Sequence, residues 1–105
     1  MKFVIRTHAR NDILRQYKYY LIEKDAGPAA KRFIPAVQAA IAQLCKDPEI
    51  GAPRTVGNAR LAGLRSWQVK GFPEIRVYYL VAKGVIRVVR VLHGKRDIYS
   101  ILEDE

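Results

Sequence analysis

Hydrophobic and polar positions change period twice along this chain. Phe3, Val4 and Ile5 are consecutive β formers between Lys2 and Arg6, which predicts a short first strand over residues 2–6. From Thr7 the apolar positions recur at helical spacing, with Ala9, Ile13, Tyr17, Tyr20 and Leu21 on one side and Arg15, Lys18 and Glu23 elsewhere. Thr7 is suited to cap this helix, with Asn11 and Asp12 near its positive end. Gly27 is expected to end it in the left-handed conformation and Pro28 to open the next helix, making a tight helical hairpin. In the second helix Ala30, Phe33, Val37, Ile41 and Leu44 form the apolar stripe, and Asp47-Pro48 stops it. Pro35 removes a hydrogen bond to Lys31 and costs roughly 3 kcal/mol in a regular helix. The stripe keeps its phase across the proline, so a kink is expected rather than two helices.

The period then shortens. Residues 48–60 are rich in Gly and Pro and read as an exposed loop. Residues 64–69, 75–82 and 85–92 read as three strands, with Gly71-Phe72-Pro73 between the first two and Lys83-Gly84 as a two-residue hairpin turn. If Ala82 pairs with Val85, one hairpin face carries Ile75, Val77, Tyr79 and Val81 opposite Ile86, Val88, Arg90 and Leu92. The other carries Arg76, Tyr78 and Leu80 opposite Val85, Arg87, Val89, Val91 and His93. The first face is the more apolar and should pack on the helices, leaving the second as an exposed basic surface. Arg90 then falls on the core side and needs a partner, for which Asp97 is the candidate. Residues 97–102 read as one or two helical turns before an acidic tail. The fold class is therefore α+β, a helical hairpin packed on a mainly antiparallel sheet with a three-stranded meander and a short C-terminal helical segment. Residues 1–105 form a single domain, in which the first strand could lie beside 85–92 or beside 64–69.

Charge sharpens this picture. Between Arg54 and Arg96 there are ten Lys or Arg and one acid, Glu74, whereas the rest of the chain has nine of each sign. The formal +9 therefore resides in the meander, and a basic sheet of this kind is matched to an anionic partner. The single cysteine, Cys45, excludes an internal disulfide, and beside Ile41 and Leu44 it reads as a buried inert thiol. The first residues turn polar too soon for a signal peptide, and no apolar run reaches membrane-spanning length. A reducing, cytoplasmic setting with no membrane partner is expected.

The chain lacks a Gly-rich phosphate loop, an HExxH pair and a His/Cys/carboxylate cluster at metal spacing, so no metal or cofactor is expected. Ser66 and Ser100 have no nucleophile-elbow context. What remains is a set of basic and aromatic residues at the strand ends: Arg65, Trp67, Lys70, Phe72, His93, Arg96 and Tyr99. RNA cleavage by its own 2′-hydroxyl needs a base, an acid and cations for the phosphate, roles open to His93, Arg96, Lys70 and Tyr99. The alternative is that the aromatics close the core ends while the cations are solvated or meet a protein or nucleic acid without catalysis.

Two stretches, Leu64-Arg65-Ser66-Trp67-Gln68-Val69-Lys70-Gly71-Phe72 and Arg90-Val91-Leu92-His93-Gly94-Lys95-Arg96-Asp97-Ile98, resemble the RelE/ParE superfamily of bacterial type II toxin–antitoxin toxins, and specifically its ParE branch. Asp47-Pro48-Glu49-Ile50-Gly51 is similar to the same branch. The resemblance implies a growth-arresting, plasmid-stabilising toxin that inhibits DNA gyrase without an active site of its own. It also implies neutralisation in a hetero-oligomer by an acidic antitoxin, ParD-like or RelB-like. The RelE branch instead implies an endoribonuclease cutting messenger RNA on the ribosome, through Lys70, His93, Arg96 and Tyr99. There Lys70 stands where that branch has arginine and lacks the planar fork that suits a phosphate. Target contact is assigned by this reading to Arg65, Trp67, Lys70, His93 and Arg96, and antitoxin contact to Tyr17, Tyr19, Tyr20, Phe33 and Val37.

Overall fold

β-Branched residues and period-two alternation carry the second half of the chain into a five-stranded sheet, and the apolar stripes of the first half fold two helices over it. The computed structural model describes residues 1–105. In chain order it contains β1 (Lys2–Ile5), α1 (Thr7–Lys18) running into a wide π-helical turn (Tyr19–Glu23), α2 (Gly27–Lys46), β2 (Ala52–Pro53), a 3-10 turn (Ala59–Leu61), β3 (Arg65–Val69), β4 (Phe72–Ala82), β5 (Val85–His93) and α3 (Ile98–Glu103). The sheet order is β1-β5-β4-β3-β2, antiparallel except for β1, which runs parallel to β5. That pairing settles the position of the first strand. The α+β architecture is the expected one.

The helix boundaries differ from expectation for local reasons. The Arg6 N–H still donates to the Val88 carbonyl at 3.0 Å, so the chain passes from ladder to helix with no spare residue. Arg6 is therefore the cap, and Thr7 is the first helical residue without a capping bond. At the other end the π turn holds more residues per turn than an α-helix. It keeps Tyr20 on the core and rotates Leu21, expected to be buried, out to 44 % exposure. The left-handed residue that ends the helix is Asp25, at φ 46°, and Gly27 begins α2 instead. Helix α2 runs unbroken through Pro35, which is exposed, while Ala30, Phe33, Val37, Ile41 and Leu44 are all buried as their spacing predicts.

The main correction concerns β5. Ala82 does pair with Val85 across a Lys83-Gly84 turn whose φ angles of 54° and 74° are both left-handed, the mark of a primed two-residue hairpin. Further along, Tyr79 pairs with Val88 but Tyr78 pairs with Arg90, leaving Val89 as the extra residue of a bulge. One inserted residue reverses every side chain beyond it. Val91 therefore joins the helix-side core with Ile75, Val77, Tyr79, Ile86 and Val88, and His93 is brought opposite Ile75. Arg90 and Leu92 go to the other face. That face is not simply an exposed basic surface: Tyr78, Val89 and Leu92 build a second core with Leu61, Leu64 and Leu102, covered by α3. Strand β4 also starts three residues before the expected position, at Phe72, because the two-residue Lys70-Gly71 turn, with Gly71 at φ 86°, already closes the first hairpin.

Arg90 has a different partner from the Asp97 expected. Its Nε and Nη2 donate to the two carboxylate oxygens of Asp12 at 2.7 and 2.8 Å, and its Nη1 donates to Glu105 at 2.6 Å. Asp12 lies on α1 where β1 has ended, and it also accepts the Val91 backbone N–H at 3.0 Å. The carboxylate thus supplies the acceptor that a neighbouring strand would have offered. The Asp12 bonds hold the guanidinium above its already high ordinary pKa, against the opposing effect of burial. Asp97 instead caps α3, accepting from the Ser100 N–H and hydroxyl.

Two outcomes follow from these contacts. Asp12→Ala leaves the Arg90 charge and the Val91 N–H without their partners, and should cost about 3–5 kcal/mol in urea denaturation at neutral pH. Gly51→Ala would drive a methyl group into the Tyr79 hydroxyl and the Ser66 carbonyl. It should lower stability by about 1–3 kcal/mol in the same measurement.

Candidate target-binding surface

The meander carries most of the candidate residues, and the structure gives them distinct tasks. Arg65 opens β3 opposite Tyr79 and turns its guanidinium onto the loop after α2, donating to the Glu49 and Gly51 carbonyls at 3.0 and 2.7 Å. The Tyr79 hydroxyl donates to the Pro48 carbonyl at 2.8 Å and accepts the Gly51 N–H at 2.9 Å. Burial is the main cause of the raised pKa of Tyr79, with the Gly51 bond opposing it. Arginine and tyrosine therefore clamp one short loop from the sheet side. Arg65 is tied into the frame rather than free at the surface.

Trp67 is half-buried, its indole N–H donating to Gln43 of α2 at 3.4 Å. It borders an open groove of about 770 Å³ between α2 and the β3 edge, flanked by Ala36, Ala39, Gln43, Lys70 and Arg76. Lys70 is exposed in the β3–β4 turn and has no side-chain partner in the protein. Beyond Ser66, the β3 edge has no neighbour, because β2 pairs only Ala52 with Ser66 and Pro53 with Arg65.

At the end of β5, His93 is held at both ring nitrogens. Nδ1 lies 3.1 Å from the Lys95 backbone N–H and must accept from it, so Nε2 carries the proton and donates to Glu74 at 2.7 Å. Arg96 follows in an exposed turn, its backbone N–H bonded to the His93 carbonyl at 3.1 Å. Tyr99 is 53 % exposed on α3. The side chains of Lys70, His93, Arg96 and Tyr99 are not joined to one another by any hydrogen bond or ion pair.

On the helical side, Tyr20, Phe33 and Phe72 form a mutual aromatic cluster with ring centroids 5.2 to 5.4 Å apart. Phe33 is wholly enclosed in the main core. Val37 is nearly so, forming the floor of a shallow groove of about 200 Å³ bordered by Ile5, Leu14 and Ile34. Tyr17 is half-buried against the main core. Tyr19 is 39 % exposed, and the π turn exposes Ile22 beside it at 67 %.

The matched family model, described as ParE toxin of type II toxin–antitoxin system, parDE, spans residues 3–98. The chain belongs to the ParE toxin family. Among solved structures, this ParE-family toxin is similar to a chain titled chromosomal ParDE TA system from P. aeruginosa, with a TM-score of 0.69 at 16 % identity. The alignment covers 90 % of this chain and 97 % of the other. No curated protein matches the chain in sequence. The fold and the branch anticipated from the motifs are thus the observed ones. No helix of the toxin is long and apolar enough to cross a membrane.

Sequence reasoning missed the pairing of Asp12 and Glu105 with Arg90. For Asp12 the signal was present, since it lies one helical step from Ala9, on the buried side, where a carboxylate demands a cation. The hydrogen bonds of His93 fix its tautomer, and this can be checked directly. Nitrogen NMR of the ring at neutral pH should show Nδ1 as the bare acceptor and Nε2 as the protonated nitrogen. The reverse pattern would break the His93–Lys95 contact described here.

Proposed function

We propose that this ParE-family toxin arrests growth by inhibiting DNA gyrase and is neutralised in the bacterial cytoplasm by a cognate acidic antitoxin. Family membership over residues 3–98 is the observation that carries the reading. Gyrase is the target that the ParE resemblance implies. The state of His93 supports it over the RelE-type alternative. A general base needs a free lone pair within reach of the proton it removes. In His93 that lone pair accepts from Lys95, and the protonated nitrogen is engaged by Glu74. Lys70 adds charge without a bidentate fork.

The antitoxin half of the reading rests on charge and on exposed apolar surface. The net +9 favours fast encounter with an acidic chain. Tyr19, Leu21 and Ile22 at the π turn, with the shallow groove between α1 and α2, offer apolar ground that would set residence time.

The deciding experiment compares two targets with the same purified toxin. Gyrase supercoiling should be inhibited, or cleaved DNA trapped, and messenger RNA on programmed ribosomes should stay intact. Adding the product of a small acidic reading frame next to the toxin gene should restore gyrase activity. Cut messenger RNA with unaffected gyrase would transfer the toxin's action to the ribosome.

A further inference from the structure

The turn that leads from β5 into α3 is shaped around His93. The Gly94 N–H donates to the Glu74 carbonyl at 2.7 Å, the Arg96 N–H to the His93 carbonyl at 3.1 Å and the Ile98 N–H to the Arg96 carbonyl at 2.8 Å. Between them the Lys95 N–H has the His93 ring as its acceptor, at 3.1 Å. Residues 94–97 are all exposed, so no apolar packing fixes the turn and its shape rests on these bonds.

One of them depends on the charge of the ring. An imidazole with a single proton can accept at Nδ1 while it donates at Nε2, whereas one with two protons only donates. The Glu74 carboxylate is served in both states, because it takes the Nε2 proton at 2.7 Å whether the ring is neutral or charged. The Lys95 N–H is served in the neutral state alone. A second proton sets an N–H at Nδ1 against the N–H of Lys95. It also places a positive charge next in line to Lys95 and Arg96, where like charges repel.

The other titratable groups of the elements that meet here are committed elsewhere. Asp97 is held below the usual carboxylate range by its bonds from the Ser100 hydroxyl and N–H, so it stays ionised. Tyr20, on the helical side of Glu74, is kept neutral by burial, which raises its pKa. Asp12, which accepts the Val91 N–H on the same strand, is occupied by Arg90. Histidine is the side chain that ordinarily changes charge between about pH 5 and 8. The chain has two, and the other, His8, lies on α1 against Glu105.

We propose that His93 is a proton-operated positioning residue: its neutral ring holds the turn that presents Lys95 and Arg96, and a second proton at Nδ1 releases that turn. The two cations are in register at neutral pH and lose it on acidification. That Arg96 meets the target rests on the gyrase reading, but the switch itself does not.

NMR hydrogen exchange on the purified full chain, at pH 8 and pH 6, tests the switch without any target. The protection of the Lys95 amide, corrected for the intrinsic effect of pH on exchange, should fall about fivefold at the lower pH. His93→Asn keeps an acceptor where Nδ1 lies and cannot take a second proton, so its Lys95 protection should be equal at both values. His93→Gln keeps a donor for Glu74 without that acceptor and should leave Lys95 unprotected at both. Glu74→Gln still accepts from Nε2, so the pH response should persist, as it should in His8→Asn. Protection of Lys95 that does not change with pH in the parent would overturn the proposal. So would a response that survives in His93→Asn, or one that is lost in Glu74→Gln or His8→Asn. A second measurement carries the switch to the target. The ratio of gyrase inhibition at pH 8 to that at pH 6 should be about fivefold larger for the parent than for His93→Asn, a comparison that cancels the enzyme's own pH dependence. If gyrase is not inhibited at all, the gyrase reading fails and the exchange data still decide the switch.

Discussion

The buried carboxylate of Asp12 is the constraint around which the two halves of this toxin meet. β1 is only four residues long, so β5 would expose an unpaired edge beyond Val88. Asp12 arrives there from α1, accepts the Val91 N–H and binds Arg90 through both oxygens. A charge this enclosed is tolerable only if its lone pairs are filled. The same contacts set the orientation of α1 on the sheet edge and turn the Arg90 stem away from the helix-side core. Glu105 completes the shell around Arg90 and meets His8 at 3.1 Å, tying the end of the chain to the start of α1. Helix, strand and terminal segment are therefore fixed by one ionic cluster rather than by apolar packing alone.

Much of the fold was legible because its elements are long and strongly periodic. The α2 stripe, the Lys83-Gly84 turn and the three meander strands all follow from spacing and turn chemistry. What escaped was every event that adds a residue to a regular pattern. The π turn changes the phase after Lys18 and sends Leu21 outward. The Val89 bulge reverses the faces of β5 beyond it. Neither carries a Gly, a Pro or an interruption in apolar character, so neither announces itself in the sequence. The partner of Arg90 was misread for the same reason, because a strand without a bulge directs it to the wrong side.

The candidate site shows a similar division. The motifs around residues 47–51 and 64–72 were informative about family, and the structure supplies a mechanical reason for their coupling: Arg65 and Tyr79 clamp the backbone from Pro48 to Gly51. A residue read from its charge as a contact for a target is here part of the frame. Arg54 and Arg76 have no carboxylate partner, and that becomes visible only once the strands are paired.

The bulge in β5 also determines how this strand will respond to sequence change. A regular half-buried strand tolerates substitution at every second position. Here Val88 and Val89 are both fully enclosed, Arg90 is an ion held by two acids, and Val91 and Leu92 are again both enclosed. Two cores on opposite sides of the sheet draw on the same five residues. Tolerance along β5 should therefore fall in doublets separated by a single charged position. A chain that drifted back to simple alternation would starve one core to feed the other.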